Sequence, residues 1–204
     1  MVAGTGPGAY ETEGVRVLRF DEAVRARPGM YFGVGLGDPR LATKVFEAVV
    51  GHAFHPAASV ARAHLPMVTA EITGDLAFSV VDDQVTAWDR QGVARRGYFD
   101  SLMTSDRWQA AAAAAVSART VVEVWRDGAG LRQELDHLRP TAGPQPFDPP
   151  PGRGTGMRFE LDPEFFGTAA ITAAVEALTL HGPDCTRGSG PGRISISDRR
   201  RAGW

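Results

Sequence analysis

Cysteine occurs once, as Cys185. A lone thiol excludes an internal disulfide and suits a reducing, cytoplasmic setting. Lysine also occurs once, as Lys44, with arginine supplying the other basic side chains. Alongside abundant Ala, Gly and Pro, that imbalance reads as a high-GC bacterial coding bias rather than as chemistry. No apolar run is long enough to span a bilayer, and the first residues carry no charged-then-apolar leader, so no membrane association is expected. A formal net charge of −2 gives no global excess of positive charge, and nucleic acid is not an expected partner. What is present, 43% hydrophobic residues in a chain of 204, can bury one core.

Residues 1–14 are Gly-rich and aperiodic and read as a flexible arm, residues 15–199 as a single domain, and 200–204 as a basic tail. A short strand is expected over 15–20, then a brief helix with Asp21 as its cap, stopped by Pro28-Gly29. Leu41, Val45, Ala48, Val49 and Ala53 recur near a 3.6-residue period, which predicts a helix over 40–54; a further helical piece could occupy 57–65. Strands 67–72 and 76–81 flank a Thr73-Gly74-Asp75 turn, and strands 120–126 and 131–138 flank Asp127-Gly128. The alanine run predicts a helix over 108–118 with Ser105 as candidate cap. The proline-rich stretch 140–152 reads as loop, Gly152 to Gly156 as a loop entering a strand at 157–161, 171–180 as a helix, 188–192 as a glycine loop and 193–197 as a last strand. Helices and antiparallel hairpins in this order predict an α+β two-layer sandwich.

Arg25 to Gly33, running Arg-Ala-Arg-Pro-Gly-Met-Tyr-Phe-Gly, resembles the "VRxRPGMYxG" signature of the gyrase B ATPase domain, a GHKL-superfamily (Bergerat) fold. Further blocks follow in the family's order: Lys44 to Val49; Phe78 to Asp83 against "SVxDDGRGIP"; Val122 to Gly128; Gly154 to Phe159 with Asp162 to Phe166; and Arg193 to Arg199. The resemblance implies an antiparallel sheet covered on one face by helices. Because the matched blocks end with the chain, it also implies no topoisomerase reaction by this polypeptide alone.

By that resemblance Glu47 stands at the general-base position, and Asp82 with Thr155 at the adenine-reading position. Val80, Gly154, Met157, Trp88 and Gly51 would complete the pocket lining. Departures from the family pattern are equally specific. Gly51 replaces the metal-binding asparagine, and glycine offers no oxygen to Mg²⁺, so an adenine nucleotide is conceivable but Mg²⁺ is not expected. Gln84-Val85-Thr86-Ala87-Trp88 replaces "GRGIP", removing two glycines that let backbone approach a ligand. Ser105-Asp106-Arg107-Trp108-Gln109 leads directly into the alanine helix where the family has a long lid and "GxHGVG", and Asp106 repels a triphosphate. Gly152 to Gly156 lacks the lysine and spacing of a P-loop. His52, His55 and His64 lack cysteine and an i, i+4 spacing, so no metal site is expected, although a histidine beside Glu47 could serve as acid or base. Arg199-Arg200-Arg201 reads as solvated.

Three readings follow. The first is a binding or regulatory pseudo-ATPase with a remnant adenine pocket and a protein partner. The second is a pocket reused to bind or transform another small molecule, as in a biosynthetic enzyme. The third is a working ATPase with an unusual metal arrangement. The sequence leaves ligand, partner and oligomeric state open.

Overall fold

The computed structural model describes residues 17–54, 66–84, 88–89, 94–172, 174–180 and 193–200. The expected arm 1–14, the helical piece 57–65 and the glycine loop 188–192 lie outside these residues, as do Cys185, His55 and His64. Residues 17–19 form no strand.

Strands β1 (Met67–Gly74) and β2 (Ala77–Asp82) form one antiparallel hairpin. β3 (Ser117–Arg126) and β4 (Ala129–Asp136) form another, and both of its turn residues have positive φ, 54° at Asp127 and 81° at Gly128. Such a turn matches the right-handed twist of the strands it joins. β7 (Arg153–Leu161) lies between the hairpins, antiparallel to β2 and β3. β8 (Arg193–Asp198) runs parallel to β1 at one edge. Short β5 (Arg139–Pro140) and β6 (Gln145–Pro146) both pair with β4, giving the order β5-β4-β3-β7-β2-β1-β8. Prolines fit there, since an edge strand can do without the missing N–H.

One face of the sheet carries the core. Val68, Ala70, Ile72, Phe78 and Val80 alternate inward, and Phe78 stacks on Phe159 at 4.8 Å and meets Phe46 edge-on at 5.2 Å. α1 (Phe20–Ala26), the single turn α2 (Gly29–Phe32), α3 (Leu41–Phe54) and α4 (Trp108–Ala115) precede or interrupt the strands, and a short α5 (Pro163–Phe166) follows β7. α3 packs on β1 and β2, α4 on β3 and β7, and α4 also touches α1 and α3. Every alanine from Ala110 to Ala115 is buried, because only methyl-sized side chains let α4 sit close to both helices and the sheet at once. The expected α+β sandwich, a largely antiparallel sheet with helices on one face, is the observed architecture.

Four local expectations are corrected. α1 begins at Phe20, so Asp21 lies in the first turn, where its carboxylate accepts Nη2 of Arg139 at 2.7 Å instead of capping. α4 is entered through a 3₁₀ turn at Ser105–Arg107 and stops at Ala115. Gly154 to Gly156 belong to β7, not to a loop. A Cβ on Gly154 would lie 2.5 Å from the Trp125 ring and 2.6 Å from the Asp82 carbonyl, so its glycine serves close strand packing. Among the described residues of 171–180 the expected helix is reduced to one 3₁₀ turn, Val175–Ala177. The backbone there is held by α3: Thr172 N donates to Thr43 Oγ1 at 2.9 Å and Thr179 N to Glu47 Oε1 at 2.7 Å. Side chains thus accept N–H groups that a helix would have used internally.

Candidate functional site

Thr43, Glu47 and Gly51 follow one another at i, i+4 and i+8, which places them in a row along one face of α3. Thr172, Thr179 and Leu180 lie along that row. Glu47 is buried, its Oε2 bound to Lys44 Nζ at 2.6 Å and its Oε1 to the Thr179 amide. A Cβ at Gly51 would stand 3.1 Å from the Leu180 carbonyl oxygen, tighter than ordinary contact. Position 51 therefore accommodates passing backbone, and the carboxylate assigned as general base is engaged by backbone and lysine.

Asp82 closes β2 and is 2% exposed. Arg107, the last residue of the turn before α4 and 4% exposed, grips it with both guanidinium nitrogens: Nη2 donates to Oδ1 at 2.8 Å and Nη1 to Oδ2. The same Nη2 reaches the Gln84 carbonyl at 3.1 Å, and Thr155 Oγ1 donates to that carbonyl at 2.6 Å. Gln84 N returns to Asp82 Oδ1 at 3.0 Å, while its side-chain Nε2 binds the Ala53 carbonyl at the end of α3 at 2.8 Å. A planar guanidinium matches a carboxylate fork, and the pairing occupies both oxygens of Asp82. Several buried polar atoms lack partners among the described residues: Gln84 Oε1, Trp88 Nε1, Arg107 Nε and Gln109 Oε1.

The remaining predicted lining residues divide. Val80 and Met157 are paired in register between β2 and β7 and are fully buried in the core. Gly154 adjoins Asp82 through backbone. Trp88 is half-buried, bridges Ala94 and packs against the core. Asp82, Gln84, Thr155 and Arg107 thus meet directly, whereas Glu47 and Gly51 are committed to the 172–180 segment. Sequence reading missed Arg107 and Gln84 as partners of Asp82. The available signal was Arg107 itself, a cation at the root of an apolar helix with no anionic neighbour of its own in that helix.

His52 extends from α3 toward α4, its ring edge-on to Trp108 at 5.8 Å. Burial, and then repulsion from Arg107, lower its pKa from 6.5 to about 4 against the opposing attraction of Asp106. The imidazole is neutral at pH 7. Among the described residues no group of three or more His, Cys, Asp or Glu side chains is placed to hold a metal ion. No helix among them is long and apolar enough to cross a membrane.

This architecture is a GHKL-type, gyrase B ATPase-like fold. The 43K ATPase domain of Thermus thermophilus gyrase B, solved in complex with an aminocoumarin, superposes with a TM-score of 0.63 at 22% identity, covering 89% of this chain and 49% of that one. In sequence, the chain is 26% identical over 183 residues to the B-type subunit of DNA topoisomerase 4 from Caulobacter vibrioides. That match takes in 80% of this chain and 26% of the topoisomerase polypeptide, so the chain spans about a quarter of that relative's length. No protein-family model matches the chain.

Proposed function

We propose that the chain is a gyrase-B-like pseudo-ATPase, a binding or regulatory protein on a nucleotide-binding scaffold. One observation carries this reading: Arg107 occupies both carboxylate oxygens of Asp82, the group that the family resemblance assigns to the adenine amino group. An incoming adenine would have to displace a buried, charge-assisted pair, which is costly. Glu47 and Gly51 add to it, because the face that would need a free base and a metal ligand carries the chain's own 172–180 segment. With base, metal ligand and adenine reader all diverted, the role left to the scaffold is to recruit a partner.

Calorimetry with ATP and ADP, with and without Mg²⁺, is expected to give no saturable heat, and phosphate release is expected at background. Mg²⁺-dependent release that Glu47→Gln abolishes would overturn the proposal.

A second reading is favoured by a different observation. Unpartnered atoms on Gln84, Trp88, Arg107 and Gln109 are both donors and acceptors, as a small polar ligand in a reused pocket would require. Thermal-shift screening of non-nucleotide metabolites separates the two, since stabilisation lost in Gln84→Leu supports reuse and a flat screen ends it.

A further inference from the structure

β8 is the last strand of the sheet, and among the described residues no strand lies beyond it. Arg193 N donates to the Pro66 carbonyl and Arg199 N to the Ile72 carbonyl, both at 2.8 Å, so the odd-numbered residues of β8 turn their backbone toward β1. Ile194 and Ile196 consequently turn N–H and C=O outward, away from the sheet. We propose that two copies of this chain pair through these edges, antiparallel, about a twofold axis at Ser195.

The edge is unguarded and its sequence is self-complementary. Sheet edges are ordinarily blunted by proline, lysine or a bulge. β8 contains neither residue, and its register with β1 runs without a break. Centring the pair on Ser195 sets Ile194 of one copy opposite Ile196 of the other, and Ile196 opposite Ile194. Each of these residues has outward backbone, so each pair exchanges both of its hydrogen bonds, and β-branched side chains meet across the join. Both isoleucines contact the core but are only half-buried, as are Val175 and Leu178 of the neighbouring segment, whose 3₁₀ turn packs on β8. A second copy would cover apolar surface that the first leaves half open.

Charge selects the same register. Arg193 is exposed and has no ion pair among the described residues. It comes opposite Ser197 of the second copy, and Ser197 lies in register with Glu71 of β1. Arg199 engages only Oε1 of the Glu71 carboxylate, with Nη2 at 3.0 Å and Nε at 3.1 Å. The incoming guanidinium can cross the small serine to the other oxygen. Moving the axis to Ile196 would set Arg193 against Arg199, like charge against like. Moving it to Ile194 keeps only one isoleucine pair within β8. An axis between residues would face outward backbone with groups that already bond β1. Because the contact is isologous, it closes at two copies instead of growing into a fibre.

Sedimentation velocity of the full chain from about 1 to 200 μM is expected to show a monomer–dimer equilibrium. A Kd of about 100 μM or tighter suits so small an interface. Ser195→Lys places like charges on the axis and should weaken association about tenfold or more. Its melting temperature should match that of dilute wild type, because position 195 is exposed. Arg193→Glu should weaken association several-fold, and more so at low salt. Cross-linking reads the register. Ser195→Cys, made together with Cys185→Ser, brings two thiols to a non-hydrogen-bonded position where Cα atoms stand ~4.5 Å apart, inside the ~4.4–6.8 Å that a disulfide spans. Oxidation should give a covalent dimer on a non-reducing gel, whereas Ser197→Cys in the same background should remain monomeric there. The proposal is overturned if the chain is monomeric at about 200 μM, if Ser195→Lys associates as tightly as wild type, or if Ser197→Cys cross-links as readily as Ser195→Cys.

Discussion

Arg107 and Arg119 each hold a carboxylate in a two-pronged grip, and they differ almost only in burial. Arg119 donates Nε and Nη2 to Glu134 at 2.8 Å each and Nη1 to Glu160 at 2.8 Å, with its side chain 40% exposed. Arg107 grips Asp82 with neither partner above 5% side-chain exposure. In water the first pair gains little, because solvent screens it and competes for both ions. Away from water, neither ion of the second can be left without the other. The same chemistry is therefore an ornament of the exposed strands in one place and, in the other, a plug at the position that the family resemblance gives to adenine.

That contrast is broken most severely by Arg107→Ala. Asp82 would remain buried with its counterion removed, and unfolding free energy in urea should fall by about 3–5 kcal/mol. Removing both charges by Asp82→Leu with Arg107→Met should recover most of the loss, since apolar side chains of similar volume often replace a buried pair at little cost. If the single variant loses less than about 1 kcal/mol, the pair is behaving like a surface one and the distinction collapses.

His52 senses the same buried cation and gives the next effect. Its folded-state pKa of about 4 lies below the unfolded 6.5, so the unfolded chain takes up a proton that the folded chain refuses. The resulting stability is complete above about pH 6.5 and is lost as pH falls through the window down to about 4, reaching roughly 3 kcal/mol at the acid end. Urea midpoints at pH 7 and pH 5 should differ less in His52→Phe than in wild type. An unaltered difference would assign the acid sensitivity to other groups.

How far this was legible beforehand follows from which forces act locally. The α3 helix, both hairpins and the sandwich announce themselves through period, turn residues and alternation, which are properties of neighbouring residues. The 171–180 segment does not, because its helical composition is overridden by acceptors on Thr43 and Glu47, more than a hundred residues away in sequence. The resemblance offered Gly51 as a lost ligand but not as room for Leu180, and Asp82 as an adenine reader but not as Arg107's partner. Only the i, i+4, i+8 spacing of Thr43, Glu47 and Gly51 hinted that one face of α3 would be covered. The Gly152–Gly156 run misled in the opposite direction, since glycine suggests a loop where a strand must pass close to Asp82.

Gly154 tests that last point. Gly154→Ala would drive a methyl into the Trp125 ring and the Asp82 carbonyl, and backbone cannot move aside as a flexible side chain can. A loss of about 1–3 kcal/mol in unfolding free energy is expected, the usual cost of overpacking. Gly128→Ala, at a turn glycine with no neighbour within 4 Å but a φ of 81°, separates strain from crowding. Trimming Trp125 to Leu should rescue part of the Gly154→Ala loss and none of the Gly128→Ala loss.

Arg119→Ala should produce the smallest change, and that smallness is informative. Three donated hydrogen bonds disappear, as many as Arg107 makes to Asp82 and the Gln84 carbonyl together, yet Glu134 and Glu160 are 44% and 58% exposed and can turn to water. The expected loss is about 1 kcal/mol or less, shrinking further in high salt as screening replaces the pair. Measured beside Arg107→Ala in the same buffers, it isolates burial as the variable. A loss at Arg119 matching that at Arg107, insensitive to salt, would mean that burial does not separate the two sites, and the proposed function would lose the observation that carries it.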